Sequence, residues 1–143
     1  MRDPIEASKM LNSSNDLYKG NPDNVLNTSE GSFNCWGYVS YMANWTNNLF
    51  WVPRFMMEDL LNAHSFHIDR LCVGAIVVMR DNTFPEFLDD ALTHTALVFD
   101  FDEKGEPLIV HKPGNMPMEV MPLSEMKEQY TILGKVTEYR YPL

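Results

Sequence analysis

The chain has 143 residues, a formal net charge of -9 at pH 7 and 45% apolar side chains, which fits one domain with one core, residues 1–143, with residues 1–17 as an approach segment to a core over 18–141. Its acidity argues against nucleic acid or anionic lipid as partners, and no apolar run approaches the ~20 residues of a membrane span, so no membrane insertion is expected. The polar start Met1 to Glu6 lacks the basic and apolar regions of a signal peptide, which points to the cytoplasm or a non-classical release route; two cysteines are too few for a secreted disulfide framework.

The first thirty-odd residues are rich in Asn, Ser, Asp and Gly, with a short helix predicted around Ile5 to Leu11. Ser32 or Asn34 then caps a helix through Cys35 to Ala43, with Cys35 in its first turn. Pro53 introduces a second helix from Arg54 to about Ala63, with Phe55, Met56, Leu60 and Leu61 expected inside. After it the period changes to that of strands. Val73 to Met79, Thr95 to Phe99 and Leu108 to Val110 are β-branched or apolar runs, the last two joined by a hairpin turn over Asp102 to Glu106. A short extension at Pro117 to Met121, a helix from Leu123 to Tyr130 capped near Ser124 and a closing strand from Leu133 to Tyr141 complete the reading. Helices followed by hairpin-linked strands predict an α+β domain, its N-terminal helices packed on an antiparallel β-sheet.

A thiol becomes nucleophilic when its thiolate is stabilised, which the unpaired amides of a helix N-terminus do; this singles out Cys35. A histidine must lie within reach to take the proton, and a third polar group commonly orients it. Pairing across the 102–106 turn brings His94, near the start of one strand, beside His111, near the end of the next. Cys72 precedes an apolar strand and is expected to be inert core. His64, His67 and Asp69 near Cys72 match no closed metal site, so no metal is expected; the acidic run Asp81, Glu86, Asp89 and Asp90 reads as a solvated loop.

Asn34-Cys35-Trp36-Gly37-Tyr38-Val39 resembles the nucleophile motif of the NlpC/P60 cysteine peptidases, in the papain-like superfamily. Val73-Gly74-Ala75-Ile76-Val77, Thr93-His94-Thr95-Ala96-Leu97-Val98 and Val110-His111-Lys112-Pro113-Gly114 resemble that family's later segments in the same order, from about Tyr18 to Tyr141. The resemblance implies a papain-like core and a cysteine hydrolase cleaving an amide bond through a covalent acyl-enzyme. Cys35 would be the nucleophile, His94 the base and His111 its orienting partner, with Tyr18, Asn34 and Trp36 on the substrate side and no cofactor. It implies a peptide or peptidoglycan-like substrate, with a cognate inhibitor or immunity protein as a further partner. Asn34 and Trp36 stand where wall-peptide enzymes carry Asp and Ser that bind a free amino group, and a neutral amide binds an ammonium less strongly than a carboxylate does. An acyltransferase, deamidase or protease acting on host proteins is therefore a rival reading, and a non-catalytic binding domain retaining the fold is another.

Overall fold

The computed structural model describes residues 2, 33–81, 91–114 and 116–143. The elements in chain order are α1 (Cys35–Met42), α2 (Arg54–His64), β1 (Ser65–Ile68), β2 (Ile76–Asp81), β3 (Ala91–Phe101), β4 (Pro107–His111), β5 (Glu119–Pro122), α3 (Leu123–Gln129), a single 3-10 turn (Thr131–Leu133) and β6 (Lys135–Pro142). The six strands form one sheet in the order β1-β6-β2-β3-β4-β5, antiparallel at every pairing. The α+β class with an antiparallel sheet agrees with the sequence reading. Among the described residues no helix is long and apolar enough to cross a membrane.

Strand alternation divides the core in two, because successive side chains of a strand point to opposite faces. On one face Ile76, Val78, Leu97, Phe99 and Val110 meet Tyr38, Val39 and Met42 of α1 and Met57 and Leu61 of α2. On the other, Ala75, Val77, Met79, Ala96, Val98 and Ile109 meet Leu123 and Met126 of α3. A bulge lies opposite the step from Met79 to Arg80, since Met79 pairs with His94 but Arg80 with Leu92. The Thr93 hydroxyl lies between the Met79 carbonyl oxygen, 3.1 Å away, and that of Leu133, tying the bulge to the 3-10 turn.

Helix α1 starts where the Asn34 side chain accepts a hydrogen bond from the Gly37 amide, and it ends at Asn44, whose φ of 64° is one that Asn tolerates better than most residues. Helix α2 begins after Pro53 as expected, yet its buried stripe is shifted. Met57 and Leu61, one turn apart, face the core, whereas Phe55 is 74% exposed and Leu60 is half-buried. A paired contact from Arg80 to both carboxylate oxygens of Glu58, at 3.0 and 2.7 Å, fastens α2 to β2.

Three further expectations are corrected. Residues 65–68, for which no element was expected, form edge strand β1 against β6, with Phe66 and His67 exposed; only pairing with β6 makes this segment a strand. Cys72 is exposed, not core, because it precedes the turn into β2 instead of lying in the strand. Helix α3 is preceded by Pro122 with no side-chain cap, and the Ser124 amide donates instead to the carboxylate of Glu106 at 2.9 Å. The 102–106 turn forms as read: the Asp102 carboxylate accepts from the Lys104 and Glu106 amides, and Gly105 takes φ 84°. The predicted helix at Ile5 to Leu11, Tyr18, and Glu86, Asp89 and Asp90 lie outside the described residues.

Gly37 marks the closest approach in the helical layer: a Cβ there would lie 2.0 Å from the Phe50 carbonyl oxygen. Gly37→Ala is expected to cost about 1–3 kcal/mol or more, because the backbone of one segment must move away from the helix. Equilibrium urea unfolding with the slope compared to wild type checks this; an unchanged midpoint contradicts it.

Candidate active site

Asn34 positions the start of α1. Its side-chain oxygen accepts from the amides of Gly37 at 2.8 Å and Val52 at 3.1 Å, and its side-chain nitrogen donates to the Val52 carbonyl at 2.8 Å. The residue is buried, and these bonds clamp the helix start to the segment before α2. The bonds also explain why an amide stands here: a carboxylate could cap the helix but could not donate to Val52. Both polar atoms of the Asn34 side chain are thus engaged within the scaffold. Trp36 is half-buried, its indole N–H is enclosed without a hydrogen-bond partner, and the Arg54 guanidinium carbon lies 5.9 Å from its ring centroid.

Cys35 opens α1 as expected and is buried. Burial pushes its thiol up from an ordinary 9.0 to about 11, against the amide and hydroxyl of Thr95 and the amides of Trp36 and Cys35, which favour the thiolate. Thr95 is thus its neighbour on β3. Among the described residues the Thr95 hydroxyl has no partner with ordinary hydrogen-bond geometry.

His94 and His111 meet as the hairpin argument requires. His94 Nε2 lies 2.7 Å from His111 Nδ1, with the rings edge to face at 4.9 Å and both residues buried. His111 Nε2 lies 3.4 Å from a Glu119 carboxylate oxygen, an ion-pair distance without hydrogen-bond alignment. The same oxygen accepts from the Tyr130 hydroxyl, and the Tyr130 ring stands edge to face on His111 at 4.9 Å. Glu119 is placed by its register opposite His111 in the β4–β5 pairing. Contact with His111 first, and with Tyr130 next after a smaller opposing effect of burial, holds the Glu119 carboxyl below its usual range. Burial, and then Glu119, pushes the Tyr130 phenol up.

This network assigns the tautomers. Glu119 favours a proton on His111 Nε2, so a neutral His111 accepts at Nδ1 from His94 Nε2–H. His94 Nδ1 is then left with its lone pair, and it makes no hydrogen bond among the described residues. Burial first, and the neighbouring His111 second, pull His94 down from 6.5 to about 3, so it is neutral near pH 7.

One expectation fails at this point. Cys35 and His94 share no hydrogen bond, and Thr95, which faces Cys35, is the residue after His94 in β3. His94 is turned to the α3 face, where it meets His111 beside Tyr130. Strand alternation sets the His94 and Thr95 side chains on opposite faces of the sheet, and hairpin pairing alone does not fix which face meets α1. Glu119 and Tyr130 were missed; pairing the extension after Gly114 back onto His111 would have found Glu119. Lys112, next to His111, was missed too, and it is wholly buried. Comparison of the chain with protein-family models, curated proteins and solved structures finds no match.

Two outcomes follow from these contacts. Asn34→Asp sets a carboxylate against the Val52 carbonyl and is expected to lower stability by about 1–3 kcal/mol, read by chemical denaturation. Because the folded His94 binds its proton at about 3 against 6.5 unfolded, the unfolded state takes up more protons in between, and stability falls as pH drops from 6.5 toward 3. His94→Gln should flatten that fall between about pH 6.5 and 4.5, above the range where carboxylates titrate; identical pH dependence of the two melting curves contradicts it.

Proposed function

We propose that the chain is a cysteine hydrolase that cleaves an amide bond through a thioester formed on Cys35. The observation that supports this reading is the meeting, at one end of the sheet, of a helix-opening cysteine beside Thr95 and a buried histidine pair that begins at His94, the residue before Thr95 in β3. In the proposed reaction the Cys35 thiol gives its proton to His94 Nδ1 as its sulfur attacks the carbonyl carbon, His94 passes that proton to the leaving amine, and water then cleaves the thioester, releasing the acid and restoring the thiol. His111, backed by Glu119, fixes the His94 ring through Nε2 and leaves Nδ1 as the exchanging nitrogen. The Cys35 amide is one donor to the developing oxyanion. Thiol and imidazole lie on opposite sides of β3 at rest, so engagement requires the bulged segment that carries His94 to change its facing. By resemblance, peptidoglycan peptides lead as the substrate class, with host proteins as the rival.

The raised thiol and the missing Cys35–His94 bond favour a second reading, a non-catalytic domain that retains the fold. Incubation with purified peptidoglycan and with a generic acyl substrate separates the two. Cys35→Ala is expected to abolish turnover, His94→Ala to reduce it by roughly 10²–10⁴-fold, and Glu119→Gln to have a smaller effect. Equal behaviour of wild type and a folded Cys35→Ala rejects the hydrolase, and iodoacetamide reacting no faster than with a free thiol supports the binding domain.

A further inference from the structure

Lys112 is 0% exposed, although a lysine is almost never fully buried without a partner. Its Nζ donates to the carbonyls of Gly114 at 3.1 Å and Met116 at 3.2 Å and lies 5.4 Å from the Phe33 ring centroid. Among the described residues no carboxylate forms an ion pair with it, so its charge is met by neutral dipoles alone.

Its position follows from the sheet. Leu97 pairs with Val110, both on the α1 face, and carrying that register two residues on sets Thr95 opposite Lys112. Thr95 is the strand neighbour of Cys35, and Phe33, two residues before Cys35, lies beside the Lys112 ammonium. Cys35, Thr95 and Lys112 therefore share one face, while His94 and His111 take the other. Arg54, which lies 5.9 Å from the Trp36 ring centroid, donates to the Leu92 carbonyl at 2.8 Å.

We propose that Lys112 is a positioning residue for Cys35: its buried ammonium is the counter-ion that holds the Cys35 thiolate when the thiol loses its proton. The inference rests on the hydrolase reading for the use of that thiolate, but not for the pairing itself. Burial lowers Lys112 from its ordinary value, and a charged Cys35 raises it again. The pairing gives the thiolate a cation on its own face of the sheet, where no imidazole lies.

The test is the rate of iodoacetamide alkylation across roughly pH 6 to 11, in a Cys72→Ser background so that Cys35 is the only thiol. Because the thiol sits at about 11, the readout is the rate at each pH below that value: Lys112→Met is expected to slow alkylation near pH 8 at least tenfold, which corresponds to a rise of one pH unit in the midpoint. Lys112→Arg should recover most of the rate, and His94→Gln should leave it unchanged. An unchanged rate in a folded Lys112→Met protein, or a slowing produced by His94→Gln instead, overturns the pairing. Should Lys112→Met not fold, NMR titration of the Lys112 ammonium decides: Cys35→Ser must lower its midpoint, and no change overturns the proposal. Failure of the hydrolase reading shows differently, as turnover that survives Cys35→Ala.

Discussion

The alternation of side chains along β3 organises everything chemical in this protein. His94 and Thr95 are neighbours in sequence, yet one belongs to the layer under α3 and the other to the layer under α1. The same division recurs one strand over, where His111 faces Glu119 and Lys112 lies toward Phe33. A polar relay and a buried cation are thus carried back to back on two adjacent strands. The two imidazoles and the lysine are buried, whereas Glu119 at the end of the relay is half-exposed.

That enclosure sets the resting charge state. Desolvation is the leading cause acting on Cys35, His94 and Lys112, and in each it opposes the charged form. The protein thereby holds a protonated thiol and a neutral imidazole, not a preformed ion pair. Chemistry on a substrate would then depend on how binding alters the surroundings of the thiol, and the groups able to compensate a new charge are the Thr95 hydroxyl and amide, the helix amides and Lys112.

Much of the fold was legible because its signals are local. Asn34 before an apolar-periodic stretch, Pro53 before another, and Asp102 with Gly105 between two apolar runs each encode a cap or turn by their own chemistry. The adjacency of His94 and His111 followed from the hairpin alone. What local signals do not contain is facing. The bulge at Thr93, set by contact with Met79 and Leu133, helps decide the strand's phase, and those partners are 14 and 40 residues away. Edge strand β1 depends on β6, the use of Asn34 depends on Val52, and the burial of Lys112 depends on carbonyls supplied by the turn that follows it.

The approach of the Phe50 carbonyl to Gly37 carries a consequence for how such a chain can diverge. A hydrogen atom is all that fits between the two backbones. The length and course of the 44–52 crossover are therefore coupled to a single glycine inside the helix. Insertions that lift the crossover would relax selection on that glycine, and only such lineages would be free to replace it.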